Sequence, residues 1–358
     1  MKRNLIALLA VGVAACAPSD RQSGDTASGS VSGSSRVALT GAGATFPYPI
    51  YSKWFSDYAT QTGVKINYQS IGSGGGIRQL TEGTVDFGAT DSPMSDTELA
   101  SAKGGAILHI PTVMGAVVAT YNVPGISQPL KLTGEVLADI FLGRIRRWND
   151  ARLAALNADA PLPNTDILVV HRSDGSGTTY IFTDYLSNVS PAWKGGPGTG
   201  KEVQWPAGLG AKGNEGVAGQ VKQTPGSIGY VELAYAKQNR LPFANMQNSS
   251  GEFVTPTIES VTAAAAGVMA RLPEDTDYRI SIVNAPGRGA YPIASFTWII
   301  LYREQPDADK GQKLVDFLRW ALREGGPSAA ALDYAPLPQE MVARLEQRLS
   351  TVAIGARA

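Results

Sequence analysis

The sequence predicts an α/β protein of two domains, joined by a two-segment hinge and separated by a ligand cleft. Strand-like and helix-like runs alternate from residue 36 onward. Glycine-rich loops stand at several strand-to-helix junctions. Two long apolar stretches, Ile107 to Tyr121 and Tyr291 to Tyr302, bracket a middle segment with strand and helix signals of its own. The chain is therefore expected to pass from one domain to the other and back. On this reading residues 36–112 with 289–358 make domain I and 113–288 make domain II. A chain of 358 residues is long enough for one large core or two ordinary ones.

A different kind of sequence precedes the globular part. Lys2 and Arg3 form a basic start, Leu5 to Val13 an apolar run, and Val13-Ala14-Ala15 a set of small residues before Cys16. The run is shorter than the roughly 20 apolar residues that span a bilayer. It resembles a bacterial lipoprotein signal, with residues 1–15 removed and Cys16 lipidated. That places the protein in the cell envelope, periplasmic or otherwise extracytoplasmic, held to the membrane by acyl chains alone. An ordinary secretory signal with an incidental cysteine is the alternative. Residues 16–35 are rich in Ser, Gly and Asp and read as a flexible tether. Cys16 is the single cysteine, so the domain beyond it has no disulfide or thiol chemistry.

Along the globular part, Val37 to Thr40 reads as a short strand entering a loop at Gly41-Ala42-Gly43-Ala44. Phe46 to Thr60 reads as a helix with Pro47 in its first turn, where a missing N–H costs little. Val64 to Gln69 alternates like a strand, Gly72 to Gly76 is a glycine loop, and Ile77 to Glu82 continues as a helix. Val85 to Ala89 is a strand ending at Thr90-Asp91. Ile167 to His171 is another, running into Asp174-Gly175-Ser176-Gly177-Thr178 and a helix from Thr179 to about Leu186. Near the end, Leu314, Phe317, Leu318, Ala321 and Leu322 recur at helical spacing and are expected to cover a core.

Lys+Arg and Asp+Glu balance at 31 each, so no bulk field recruits nucleic acid and any anion site is local. The junctions Gly43-Ala44-Thr45-Phe46, Gly72 to Gly76 (with Ser73) and Asp174 to Thr178 each set glycine and a hydroxyl residue just before a helix. At a helix start the first N–H groups lack partners and the dipole is positive, which suits an anion. Taken singly, each also reads as an ordinary helix cap. Phe46 occupies the place of the third glycine of a dinucleotide fingerprint, and no P-loop lysine follows any of the loops, so nucleotide binding is excluded. Arg172, four residues before Ser176, has the planar fork that grips oxyanions, and Asp174 is near enough in sequence to orient it. Asp91 ends a strand, where ligand crevices of open α/β sheets lie, although it also reads as a turn residue.

These stretches resemble the phosphate-binding protein of the bacterial Pst-type ABC importer. The resemblance is carried by Leu39 to Pro47, Gly72 to Gly75, Val85 to Asp91 and Arg172 to Thr178. It continues in Ile140 to Trp148, Gly208 to Asn214, Pro225 to Val231 and Leu332 to Pro338, all in the family's order. It implies a type II periplasmic-binding-protein fold. It also implies that phosphate is held by Thr45, Phe46, Ser73, Asp91, Arg172, Ser176, Gly177 and Thr178, with Phe46 and Gly177 giving backbone N–H groups. The partners it implies are inorganic phosphate and a permease pair driven by a cytoplasmic ATPase, with no cofactor and no metal. Gly74 and His171 depart from some relatives without removing a donor.

A carboxylate beside an anion repels it unless a proton lies between them. Phosphate near neutral pH carries that proton and sulfate does not, so Asp91 selects by rejecting the competitor. The alternatives are a binder of another oxyanion, arsenate above all, a surface adhesion or signalling protein, or a phosphatase-like enzyme. Gly175-Ser176-Gly177 does not fit a nucleophile elbow, and the two histidines, His109 and His171, sit in no metal or catalytic pattern, so no catalytic residue is assigned.

Overall fold

The computed structural model describes residues 39–126, 128–269, 273 and 276–355. The signal peptide, Cys16, the tether and the start of the strand expected at Val37 lie outside the described residues.

Small residues set the course of the first strand. Leu39–Gly43 (β1) carries Gly41, Ala42 and Gly43 within the strand rather than in a loop, paired in parallel with Ile66–Ser70 (β2) and Phe87–Thr90 (β3). The reason is packing: a Cβ on Gly41 would lie 2.2 Å from the Phe87 ring. The second glycine run is also taken up into regular structure. Tyr48–Thr62 (α1) follows Pro47, and Ser73–Thr81 (α2) holds Gly74, Gly75 and Gly76 in its first turn. A Cβ on Gly76 would stand 2.5 Å from both Ala42 O and Gly43 Cα, so its absence lets the helix lie directly on β1.

Five further strands complete an eight-stranded sheet: Ile107–Asn122 (β4), Leu168–Arg172 (β5), Leu209–Ala211 (β6), Ser227–Glu232 (β7) and Ala294–Tyr302 (β8). Their order is β2-β1-β3-β8-β4-β7-β5-β6. β4 serves both ends of this order. Its first part runs antiparallel to β8, from Ile107↔Tyr302 to Ala116↔Ala294. Its second part runs antiparallel to β7, from Val117↔Glu232 to Asn122↔Ser227. The two apolar stretches of the sequence are thus adjacent strands, and every β4 residue up to Tyr121 is buried. Cover on both faces explains why they read as continuous apolar runs without alternation.

Aromatic side chains gather at each end of the sheet. Tyr51, Phe55, Tyr68, Phe87 and Phe317 touch one another beside β1 and β3. Phe141, Phe182, Trp205 and Tyr230 do so beside β5 and β7, with Phe182 stacked on Tyr230 at 4.2 Å. The helix from residue 308 buries Leu314, Phe317, Leu318 and Ala321, and Leu322 is half-buried. Among the described residues no helix is long and apolar enough to cross a membrane.

Candidate functional site

The ends of β1, β3 and β5 and the starts of α2, Gly177–Val189 (α3) and Gly213–Gln223 (α4) meet in one place. Asp91 follows β3 directly and is 1% exposed. Thr297 of β8 donates its hydroxyl to Asp91 Oδ1 at 2.7 Å, and Ser73 Oγ stands 3.5 Å from Oδ2. Burial lifts the Asp91 carboxyl to about 7. The Thr297 bond, the positive charge of Arg172 and the Ser73 hydroxyl pull the other way without cancelling it.

Arg172 ends β5 and is 3% exposed. Asp174 receives its Nε at 2.7 Å and its Nη2 at 2.6 Å, while Nη1 is buried without a protein partner. Burial works against the charge of Asp174, but the Arg172 bonds, the Arg172 charge and the Gly213 N–H outweigh it. Its carboxyl therefore stays below the ordinary value.

The starts of α2 and α3 face each other closely. Gly74 N–H donates to Gly175 O at 2.9 Å, and Gly177 N–H donates to Ser73 Oγ at 3.1 Å. A Cβ on Gly177 would come within 2.5 Å of Ser73 Oγ and 2.7 Å of Asp91 N, so a side chain there would force the two apart. Ser176 caps α3, accepting Thr179 N–H at 3.0 Å. Thr45 follows β1 and its carbonyl takes the Tyr235 hydroxyl at 2.6 Å. Phe46 is buried, its carbonyl takes the Tyr334 hydroxyl at 2.7 Å, and among the described residues its N–H has no partner. A buried guanidinium with a spare N–H, hydroxyls and helix-start amides form a donor set for a small oxyanion, and Asp91 adds one proton acceptor.

The sequence carries a PBP superfamily domain over residues 24–324. It is 48% identical to phosphate-binding protein PstS of Pasteurella multocida, over 87% of this chain and 90% of that protein. It is 46% identical to the Xylella fastidiosa protein of the same name, over 94% of both. The chain belongs to the PstS family of phosphate-binding proteins. Two solved structures share the fold of this PstS-family chain at low sequence identity. One is a high-affinity periplasmic phosphate-binding protein bound with phosphate, with a TM-score of 0.70, 21% identity and coverage of 87% of this chain and 93% of that one. The other is the phosphate-binding protein of Stenotrophomonas maltophilia, with a TM-score of 0.67, 21% identity and coverage of 87% and 94%. The fold is the two-domain periplasmic-binding-protein fold.

In this PstS-family chain Thr45, Phe46, Ser73, Asp91, Arg172, Ser176, Gly177 and Thr178 all lie at the one meeting place, seven of them buried with less than 4% exposure and the eighth, Gly177, also buried. One detail differs from the sequence-based expectation. Gly177 N–H, expected to face a ligand, is taken by the Ser73 hydroxyl because the two helix starts approach so closely. Three other residues were missed. Asn214 at the start of α4 bonds Thr45 and Thr178, Thr297 holds Asp91, and Lys201 reaches Glu98 of the short helix Asp96–Ala100 at 2.7 Å. A hydroxyl inside the otherwise apolar run Phe296 to Leu301 was the available signal for Thr297. Asn214 closes the stretch Gly208 to Asn214 that carries the family resemblance, and Lys201 offered no signal. Among the described residues no three His, Cys, Asp or Glu side chains are grouped to hold a metal.

Proposed function

We propose that this protein captures inorganic phosphate outside the cytoplasm and delivers it, chemically unchanged, to an ABC-type importer. The observation that carries the reading is a buried Arg172 with a free donor set near the buried carboxyl of Asp91. Arg172 is buried, clamped by Asp174 on two nitrogens and left with Nη1 unpartnered, and its charge acts on the buried carboxyl of Asp91. An unpartnered buried donor costs about 1–3 kcal/mol, more when charged, so the arrangement favours an anion. A proton acceptor in the same enclosure narrows the choice to an anion that still carries a proton.

In this reading Arg172 Nη1, the N–H groups of Phe46 and Gly177, and the hydroxyls of Thr45, Ser73, Ser176 and Thr178 donate to phosphate oxygens. Asp91 accepts from the phosphate O–H. A phosphate oxygen takes over from Ser73 Oγ as acceptor of Gly177 N–H. The names of the PstS relatives, and the phosphate bound in the solved structure of like fold, support the ligand. The domains are residues 36–112 with 289–358, and 113–288. Ligand contacts made from both stabilise the closed form. The partners are a permease pair with a cytoplasmic ATPase, and Cys16 carries the lipid anchor.

The surroundings of Ser176 and the histidines support a binder over a hydrolase. Ser176 Oγ is engaged as a helix cap. His109 accepts Met94 N–H and pairs with Asp277, and His171 stacks on Trp205 with its Nδ1 against Arg172 O. Isothermal titration with phosphate, arsenate and sulfate tests the reading. Tight one-to-one binding of phosphate, with sulfate silent at pH 8, is expected. Absent phosphate binding, or release of p-nitrophenol from p-nitrophenyl phosphate, overturns it.

A further inference from the structure

Asn214 is fully buried, and each polar atom of its side chain is engaged. Its Oδ1 accepts Glu232 N–H at 2.9 Å. Its Nδ2 donates to Thr45 Oγ1 at 2.7 Å and to Thr178 Oγ1 at 3.0 Å, and its backbone N–H donates to Thr45 Oγ1 at 3.2 Å. The amide cannot be turned over, because Nδ2 would then face the Glu232 N–H. A hydroxyl has one proton and two acceptor positions. Both acceptor positions of Thr45 are filled by Asn214, so its proton has to leave in the remaining direction. Thr178 receives from Asn214 as well, and its proton is likewise turned away from the amide. Among the described residues neither hydroxyl donates to a protein acceptor.

We infer that Asn214 is a positioning residue: it accepts nothing from Thr45 and Thr178, donates to both, and so aims both hydroxyl protons at the bound anion. This rests on the phosphate reading above and adds to it a specificity for acceptors. A ligand atom facing these threonines has to be a bare oxygen, while the protonated oxygen is directed to Asp91. Because Thr45 follows β1 and Thr178 lies on α3, which follows β5, one amide sets donors contributed from both halves of the strand order. Rotatable hydroxyls become fixed donors before the ligand arrives, which lowers the ordering cost of binding.

A double-mutant cycle tests this, read by isothermal titration with inorganic phosphate. Asn214→Ala is expected to weaken binding on the order of 10-fold to 100-fold in the native background. In the Thr45→Val/Thr178→Val background the same change is expected to have almost no further effect, since there are no protons left to aim. Equal losses in both backgrounds, or no loss in the native one, overturn the inference. Neutron diffraction of the native protein with phosphate needs no variant to fold. Deuterium carried by both threonine oxygens should point to phosphate oxygens, and a threonine hydroxyl deuteron directed at Asn214 instead overturns the assignment. If the native protein takes up no phosphate, the functional reading falls and this inference with it. If it binds phosphate but the cycle is additive, this inference alone falls.

Discussion

A carboxyl held by Thr297 and Ser73 with almost no contact to water keeps its proton until about pH 7, so what Asp91 offers a ligand depends on acidity. Above that pH it only accepts, and in the proposed site an unprotonated oxyanion would meet a bare carboxylate. Below it, the protonated acid can donate, and the barrier to sulfate weakens. Sulfate should therefore compete with phosphate at pH 5 and not at pH 8. Asp91→Asn should admit sulfate at both, as read by competition titration; selectivity unchanged in the variant would contradict the assigned role. The same shift bears on stability. The folded value lies above the ordinary 3.8, so this group's contribution is full below that value and is lost as pH rises through about 7. The melting temperature of the phosphate-free protein should fall from pH 5 to pH 8. Asp91→Asn should flatten that fall in a thermal scan.

Elements pack here as closely as backbone allows, and the glycines mark where. Gly74, Gly75 and Gly76 were expected to form a loop, yet they open α2, because the helix has to rest on β1. Local preference opposed this, glycine being a poor helix former, and packing decided it. Gly76→Ala should show the cost. Alanine would gain in helix propensity, but its Cβ meets backbone atoms of Ala42 and Gly43 at 2.5 Å, and these cannot rotate away. A loss of about 1–3 kcal/mol is expected in chemical denaturation, with phosphate affinity reduced because α2 carries Ser73. A variant as stable as the native protein would mean that β1 and α2 are less tightly apposed than described. Gly41-Ala42-Gly43 follows the same rule: the run reads as part of a loop, and the Phe87 ring over Gly41 makes it a strand.

In the molecule as a whole, contacts between residues far apart in sequence close the site. Lys201 Nζ meets Glu98 Oε1 at 2.7 Å, and Ser176 N–H donates to the carbonyl of the same Lys201 at 3.0 Å, which ties this ion pair to the loop at the site. Both side chains are about a quarter exposed, 22% and 27%, so the pair is worth no more than about 1 kcal/mol. Glu98→Gln should speed phosphate release by about fivefold at most, and the difference should vanish in 1 M salt as screening rises. Stopped-flow release with a labelled phosphate trap measures it. A salt-independent change would argue for a packing effect instead.

The alternation of strands and helices, the two long apolar stretches and the chemical character of the loops were legible in the sequence. These follow from residues that are neighbours in the chain, where periodicity, glycine and hydroxyl content are directly legible. Asp91, Arg172 and Asp174 stood out for the same reason, each at the end of a strand or within two residues of its partner. Folding of the whole chain brought Thr45 to Asn214, 169 positions away, and Asp91 to Thr297, 206 positions away. Such pairings depend on which strands lie side by side in the sheet, and the order β2-β1-β3-β8-β4-β7-β5-β6 is a property of the whole core. Local preferences fix what each segment tends to be; burial of the shared core decides which segments meet.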